Sequence, residues 1–332
     1  MSSQFVPRRR EEARTDCSKA EIRRGVLDLP DPFVLECGAA LGSARLAWEC
    51  IGPAPAPLIV VLGGISAHRR CTTADGTGWW QAQCGPGRAL DSDRYRLLGV
   101  DWLGGCDEST GPDGAGDFPV VSSADQARAI LFLLNRLGVR QVHLLVGASY
   151  GGAVAQHLAV LLGHRLRRLV VFSAAHRPAQ FALALRGIQR AILDLGNATP
   201  AALALARALA VLGYRTPEGV EQRFAGSGGG VIEWLAHHGE KFAARFNASA
   251  YRCLSASLDG HRIDPAAIRV PTTFFAVRED LLVPLPLARE FAAACAGGCE
   301  FVEISSAFGH DAFLKEQAAV AAVLRNAIGE AA

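Results

Sequence analysis

A Gly-x-Ser-x-Gly turn near the middle of the chain constrains its fold more than any other feature. The apolar run 144–146 leads directly into Gly147, Ser149 and Gly151, and an Ala-rich helical pattern follows. A serine hydroxyl is a weak nucleophile at neutral pH, so a catalytic serine has to stand on a tight strand-to-helix turn beside a base. The small residues around Ser149 permit such a turn. The pattern therefore predicts a strand, a nucleophilic serine and a helix in direct succession.

The length and composition of the chain indicate a globular core with an elaboration. Its 332 residues exceed the usual size of one domain, and half of them are hydrophobic. The net charge of +2 gives no reason to expect nucleic-acid binding, and no run of about eighteen apolar residues predicts a membrane span. Nine scattered cysteines without a CxxC pair are typical of reduced thiols. We therefore expect a soluble, cytoplasmic protein without a metal site.

Alternating strand and helix patterns predict a mostly parallel sheet flanked by helices. Buried strands are predicted at 57–62, 95–100, 142–146, 169–172, 272–277 and 301–304, with an opening hairpin of 33–37 and 45–51 and a last helix at 311–328. Ser122 and Asp125 predict a helix N-cap. Between about 176 and 262 the sequence is helical without a convincing strand. We therefore expect a flexible N-terminal tail at 1–25, an α/β core at 26–175 and 263–332, and an inserted helical lid at 176–262.

A base and an orienting carboxylate for Ser149 are predicted after the last two strands. Asp280 follows the strand at 272–277, and His310 follows the strand at 301–304. The order serine, acid, histidine is the order that a triad on such a sheet requires. Either residue alone could instead cap a turn or a helix, and Glu279 is a rival for the acid. Their joint placement beyond successive strands favours Asp280 and His310.

A tetrahedral intermediate needs two N–H donors that point at one oxygen. The backbone of Tyr150, directly after the nucleophile, is expected to supply one of them. The other is expected from the loop after the strand at 57–62, at Gly64 or Ile65, because the glycines there allow the backbone to come close to a reacting centre.

Three further motifs distinguish this chain from general esterases. They are Gly78-Trp79-Trp80 with residues 85–91, Gly104-Gly105-Cys106 with Ser109-Thr110-Gly111-Pro112, and residues 309–314. With them the chain resembles, over nearly its whole length, the homoserine O-acyltransferases of methionine biosynthesis, members of the α/β-hydrolase superfamily. The resemblance implies an α/β-hydrolase fold, a homodimer, and acyl transfer from an acyl-CoA co-substrate to L-homoserine without a cofactor.

The resemblance also implies roles for individual residues. The family's triad and oxyanion donors match Ser149, Asp280, His310, Ile65 and Tyr150. In relatives an Arg followed seven positions later by a Tyr in the lid binds homoserine, and Arg207 and Tyr214 keep this spacing. A guanidinium pairs bidentately with a carboxylate, so Arg207 is expected to hold the substrate carboxylate. Asp311 matches the family's partner for the substrate ammonium, and otherwise reads as an acid at a helix N-terminus.

The loop after the strand at 57–62 bears on the choice of acyl donor. A succinyl group ends in a carboxylate, which is costly to bury without a cation, whereas an acetyl group ends in a methyl group. His68, Arg69 and Arg70 stand where typical acetyltransferases carry a His-Ala-Leu-Thr-Gly-type loop. They could supply that cation, lie in a solvated loop or contact CoA phosphates.

This altered loop resembles that of the relatives that use succinyl-CoA. We therefore expect O-succinylation of L-homoserine by ping-pong catalysis. The alternatives are homoserine O-acetylation with acetyl-CoA, O-acylation of serine and, outside this class, a serine esterase. A non-catalytic binding protein is disfavoured because all three triad positions are present.

Overall fold

The computed structural model describes residues 21–113, 118–226 and 230–329, and a mostly parallel sheet forms its centre. Its strands are β1 (Ile22–Asp28), β2 (Phe33–Val34), β3 (Ala40–Leu41), β4 (Arg45–Ile51), β5 (Leu58–Leu62), β6 (Arg96–Val100), β7 (Leu144–Ala148), β8 (Leu169–Phe172), β9 (Thr272–Val277) and β10 (Cys299–Ile304). Within the described residues the sheet order is β1-β4-β6-β5-β7-β8-β9-β10, and β2 pairs with β3 separately. Within the eight-stranded sheet of the described residues, only β1, β4 and β6 are joined by antiparallel pairing, and β2 and β3 pair antiparallel outside it. The predicted fold class is confirmed.

Helices connect the strands and cover the sheet. They are α1 (Ser123–Arg136), α2 (Tyr150–Leu162), α3 (Gln180–Leu195), α4 (Pro200–Tyr214), α5 (Pro217–Phe224), α6 (Val231–Ala243), α7 (Ala248–Gly260), α8 (Leu285–Ala294), α9 (Ala312–Lys315) and α10 (Gln317–Ile328). The predicted cap of α1 is confirmed, since Ser122 and Asp125 form a reciprocal capping box. No helix in the described part of the chain is long and apolar enough to cross a membrane.

The hydrophobic core lies on both faces of the sheet. Alternate residues of β5 point to opposite sides: Leu58, Val60 and Leu62 pack with α1 and α2, whereas Ile59 and Val61 pack with α10. Every residue of β5 is buried. A strand buried on both faces has to be apolar at every position, which explains the continuous apolar runs in the sequence.

The N-terminal region differs from the expectation. β4 pairs with β1 along its whole length, from Ile22 opposite Ile51 to Asp28 opposite Arg45, so the predicted hairpin partner 33–37 is wrong. Residues 22–25 belong to β1 and not to a tail, while residues 1–20 lie outside the described residues. β1 was not predicted because it is a largely exposed edge strand, in which apolar and polar residues do not clearly alternate.

Helices α3 to α7 all lie between β8 and β9, where the sequence predicts the lid. α4 packs against α3 and α6, and a small apolar cluster of Leu203, Ala206, Phe242 and Tyr251 joins them. The predicted last helix at 311–328 is divided: a 3-10 turn at Gly309–Asp311 and the short α9 precede α10. The lid helices thus form a cap with a core of its own.

Candidate active site

A strained turn presents Ser149 between β7 and α2. Ser149 has φ 52° and ψ −118°, a backbone conformation that a non-glycine residue adopts only where its surroundings impose it. The neighbouring glycines make this turn possible because backbones meet there. A Cβ on Gly151 would lie 2.2 Å from the carbonyl oxygen of Leu62, and one on Gly147 would lie 2.4 Å from that of Gly151. The elbow therefore requires glycine at both positions.

The structure brings Ser149, His310 and Asp280 into one hydrogen-bonded chain. Ser149 Oγ lies 2.9 Å from His310 Nε2, and His310 Nδ1 lies 2.8 Å from Asp280 Oδ2. The other oxygen of Asp280 accepts hydrogen bonds from the backbone N–H groups of Leu282 and Val283, at 2.8 and 3.0 Å. With Nδ1–H donating to the carboxylate, Nε2 is left to accept the serine proton.

The neighbouring acid, Glu279, has a different environment. Its carboxylate accepts hydrogen bonds from Ser305 Oγ at 2.6 Å and from the backbone N–H of Ser306 at 2.8 Å. It makes no hydrogen bond to His310 among the described contacts. The geometry thus distinguishes between two adjacent carboxylates that the sequence left as rivals.

Charges around the buried His310 ring set its proton affinity. Burial alone favours the neutral imidazole, and Arg186 acts in the same direction. The carboxylate of Asp280 outweighs both, with a smaller contribution from Asp311, so the pKa of His310 is raised above its usual value of 6.5. The ring is therefore a stronger base than a free imidazole, although it lies in the protein interior.

The two expected oxyanion donors belong to two different elements next to Ser149. Tyr150 opens α2, and Ile65 lines the same cavity as Ser149 from the loop after β5. Within the described residues, neither backbone N–H donates to a protein acceptor. Trp102 Nε1 donates to the carbonyl oxygen of Gly64 at 3.1 Å and so holds this loop. Free N–H groups beside a nucleophile are what an oxyanion requires.

Ser149 and His310 open into a cavity of about 680 Å³ between the sheet and the lid helices. Its cationic lining is Arg177, Arg186, Arg207, Lys241 and Arg245. Among the residues that the structure describes, no group of three or more His, Cys, Asp or Glu side chains is placed to hold a metal ion. The cavity is thus large enough for a small organic acid and has positive groups to meet it.

Arg207 lies in the middle of α4, and Tyr214 is the last residue of that helix. Arg207 Nη1 donates to the Tyr214 hydroxyl at 3.3 Å, and its guanidinium lies over the ring of Phe242, 4.7 Å from the centroid. The Tyr214 ring is 5.8 Å from the His310 ring, centroid to centroid. Within the described part of the chain, no carboxylate is paired with Arg207. Its charge is therefore available to a ligand beside His310.

Asp311 also lines the cavity, but it already has a cationic partner. Its Oδ2 lies 2.9 Å from Arg215 Nη2, and both side chains are largely buried. A ligand ammonium would therefore share this carboxylate with Arg215. This pairing could not be predicted from the sequence, since Arg215 follows the end of α4 and reaches Asp311 only through the tertiary fold.

The three cations expected near the acyl group do not act together. Arg69 is buried and paired with Asp101 and Glu108, and its own backbone N–H donates to Asp101 Oδ1 at 2.7 Å. Arg70 points to Glu49, with 3.8 Å between the charged atoms. Only His68 of the three lines the cavity, and burial lowers its pKa. Arg69 and Arg70 thus pair with carboxylates outside the cavity and do not line it.

Arg186, a residue of α3, lines the cavity and is not among the residues predicted from the sequence. Its Nε donates to Asp259 at 2.6 Å, across 73 residues of sequence. The four-residue spacing of Arg186 and Arg190 placed both on one face of a helix, which was the one available signal. That signal could not show which face points into the cavity.

Comparisons with known proteins agree with this geometry. A family model described as the alpha/beta hydrolase fold matches residues 57–317. The chain is 41% identical over 298 residues to a homoserine O-succinyltransferase of Xanthomonas campestris, covering 86% of this chain and 79% of that protein. It is 37% identical over 272 residues to a homoserine O-acetyltransferase of Thermus thermophilus, covering 74% of this chain and 71% of that protein.

Solved structures of two kinds are similar to this one. A homoserine O-acetyltransferase from Staphylococcus aureus superimposes with a TM-score of 0.83 at 25% identity, covering 92% of this chain and 95% of that one. The esterase E22 superimposes with a TM-score of 0.81 at 19% identity, covering 93% of this chain and all of that one. The shape of the backbone is thus shared by an acyltransferase and an esterase, and only side chains can separate the two.

Proposed function

Since this chain belongs to the homoserine O-acyltransferases of the α/β-hydrolase superfamily, we propose that it transfers a succinyl group from succinyl-CoA to the hydroxyl of L-homoserine. The observation that carries the proposal is the position of Arg207. A cation without a carboxylate partner lines the same cavity as Ser149 and His310, and it bonds to Tyr214, whose ring lies 5.8 Å from that of His310. An esterase acting on apolar esters has no use for such a charge, whereas an amino-acid acceptor carries a carboxylate that needs one.

The first half-reaction acylates the enzyme. His310 Nε2 takes the proton of Ser149 as Oγ attacks the thioester carbonyl, and the N–H groups of Tyr150 and Ile65 stabilise the resulting oxyanion. Asp280 holds the imidazolium that forms. The intermediate collapses with cleavage of the C–S bond, and His310 returns its proton to the leaving CoA sulfur. Ser149 then carries the acyl group as an ester.

The second half-reaction passes the acyl group to homoserine. Arg207 binds the substrate carboxylate, with Tyr214 beside it. Asp311, which is also paired with Arg215, binds the substrate ammonium. His310 removes the proton of the substrate hydroxyl as its oxygen attacks the carbonyl carbon of the acyl-serine ester. The bond from this carbon to Ser149 Oγ then breaks, His310 returns the proton to Oγ, and O-succinylhomoserine leaves. The lid helices limit access of water, which would otherwise hydrolyse the same ester. The reaction needs no cofactor besides acyl-CoA.

Two observations favour succinyl-CoA over acetyl-CoA as donor. The relative from Xanthomonas campestris, at 41% identity, is a homoserine O-succinyltransferase. In addition, the cavity is lined by more guanidinium groups than the homoserine carboxylate alone requires. Homoserine O-acetyltransferases at 37% identity make acetyl-CoA the second candidate donor. Serine differs from homoserine by one methylene, which is worth only about 1–3 kcal/mol in selectivity.

We also propose that the enzyme works in the cytoplasm as a homodimer. The cysteines that the structure describes are all free thiols, which fits a reducing compartment. The exposed apolar side chains Phe181, Ile188 and Leu195 repeat every seven residues along α3 and so lie on one outer face. An apolar stripe of this kind is suited to a partner helix of a second copy.

Intact-mass spectrometry of the acyl-enzyme tests the proposed function. The protein is mixed with succinyl-CoA or acetyl-CoA, with Ser149→Ala as the control variant. We expect a succinyl adduct that depends on Ser149 and that L-homoserine discharges, whereas L-serine does not. An acetyl adduct alone would reverse the choice of donor. Discharge by water as fast as by homoserine would show that the protein is an esterase.

A further inference from the structure

Arg186 is the most buried of the unexplained cations in the cavity. Its side chain is only 12% exposed, and its Nε is committed to Asp259 Oδ1. Its Nη2 is buried without any hydrogen-bond partner, and no acceptor among the described residues bonds to Nη1. A buried guanidinium nitrogen without an acceptor is rare and costly, so a bound ligand is its natural partner.

The charges around Arg186 do not balance. Asp259 is paired with both Arg186 and Arg190, so one carboxylate serves two guanidinium groups. Arg190 uses another nitrogen on the hydroxyl of Ser255, which carries no charge. The cluster therefore keeps one net positive charge at the wall of the cavity. Holding a surplus charge there is unfavourable until an anion neutralises it.

The other lining cations have different environments. Arg177 pairs with Glu290 and is 41% exposed, and Lys241 and Arg245 are exposed on the lid side of the cavity. Arg207, beside Tyr214, is assigned to the homoserine carboxylate. Arg186 is close enough to the catalytic base for its charge to oppose the effect of Asp280 on His310.

We propose that Arg186 binds the terminal carboxylate of the succinyl group through its Nη1 and Nη2 atoms and thereby selects succinyl-CoA over acyl-CoAs that lack this carboxylate. The inference rests on the proposed function. The two substrates bring two carboxylates into the site, and the cavity offers each of them a partly buried arginine that keeps nitrogens free of protein partners, Arg207 for one and Arg186 for the other. Asp259 orients the guanidinium of Arg186, so that its remaining edge faces a ligand as a preformed fork.

Donor selectivity of Arg186→Met tests this inference. The value of kcat/KM is measured with succinyl-CoA, butyryl-CoA and acetyl-CoA at saturating homoserine. Butyryl-CoA has the chain length of the succinyl group without its charge. We expect kcat/KM for succinyl-CoA to fall about 100-fold, because a buried charge pair loses one partner, while the values for the two neutral donors stay within about threefold. The KM of homoserine is expected to be unchanged.

Two further variants make the result decisive. Arg177→Met removes a cavity-lining guanidinium that already has a carboxylate partner, so it should leave the donor preference unchanged. Arg186→Lys keeps the charge without the fork and should lose about tenfold with succinyl-CoA alone. An equal loss with all three donors, or an unchanged succinyl preference in Arg186→Met, would overturn the inference while the proposed function stands. A wild-type enzyme that transfers no acyl group to homoserine would instead refute the proposed function itself, and the inference with it.

Discussion

At the scale of single residues, the site depends on how His310 is held. Its ring is buried, bonded to Asp280 on one side and to Ser149 on the other, and the Tyr214 ring lies next to it. The imidazole has one function in the resting enzyme, which is to accept a proton, so only its neutral form is active. The charges that raise its pKa therefore also decide the pH at which the enzyme begins to work.

The pH dependence of acylation follows from this raised pKa. As pH falls through the pKa of His310, the ring becomes protonated and kcat/KM for acyl-CoA falls, so we expect an acid limb centred above pH 6.5. Asp280→Asn removes the main cause of the shift. It should move the limb to lower pH and reduce kcat by about 10⁴-fold. Glu279→Gln is the matched control and should change neither quantity.

These pH profiles are measured as steady-state rates with succinyl-CoA between about pH 5 and pH 9, a range that extends to both sides of the usual histidine pKa. Equal effects of the two substitutions would contradict the assignment of Asp280 as the carboxylate that acts on His310.

Arg207 is expected to act only on the second substrate. Arg207→Leu should raise the KM of homoserine about 100-fold, because the carboxylate then lacks its partner, while acylation of Ser149 keeps its rate. Tyr214→Phe removes only the hydroxyl that bonds to Arg207 and should have a much smaller effect. Single-turnover acylation measured by quenched flow separates the two steps. A parallel loss of acylation in Arg207→Leu would count against this role.

At the scale of elements, the nucleophile depends on how closely α2 approaches the end of β5. The backbone N–H of Gly151 donates to the carbonyl oxygen of Gly63 at 2.8 Å, and Trp102 holds the adjacent Gly64. The first turn of α2 and the oxyanion loop are therefore fixed to each other. A side chain between them would move both the nucleophile and the oxyanion donors.

Gly151→Ala tests this contact. Its Cβ would lie 2.2 Å from a backbone oxygen of Leu62, so we expect a loss of about 2 kcal/mol in the free energy of unfolding and a large loss of acylation rate. Gly187→Ala in α3 is the control, because an added Cβ there meets no atom within 4 Å. It should stabilise the protein by about 0.5–1 kcal/mol. Urea denaturation gives both values, and an undisturbed Gly151→Ala protein would argue against the close approach.

At the scale of the whole molecule, the lid presents apolar surface to solvent. Leu195 is 88% exposed, and Phe181 and Ile188 on the same face of α3 are each more than half exposed. Two such faces brought together would remove this surface from water, which is favourable in proportion to the area covered.

The solution mass tests the proposed dimer. Light scattering after gel filtration should give about twice the chain mass of 35.1 kDa. Ile188→Asp places a charge in the centre of the stripe and should shift the protein to the monomer, because an unpaired charge cannot be buried cheaply. Val160→Asp is the control, because Val160 is an exposed apolar residue of α2, outside the lid helices. This substitution should leave the mass unchanged. A monomeric wild-type protein would refute the proposal.

Local patterns in the sequence were sufficient to predict much of this protein. The central strands β5, β7 and β8 are apolar throughout because both their faces are buried. The elbow is visible because its glycines are required by close backbone contacts. Ser149, Asp280 and His310 each follow the carboxyl end of a parallel strand, which places them at one edge of the sheet. By contrast, β1 is an exposed edge strand without such a pattern and was missed.

Only the tertiary structure decided which charges meet. In the folded chain His310 bonds to Asp280, whereas Glu279 bonds to Ser305. Arg69 is paired with Asp101, and a buried nitrogen of Arg186 at the cavity wall has no acceptor. A sequence determines apolar periodicity and backbone turns because these depend on near neighbours along the chain. The pairing of an arginine depends on the direction of a long side chain and on partners such as Asp259, 73 residues away, which only the folded chain brings together.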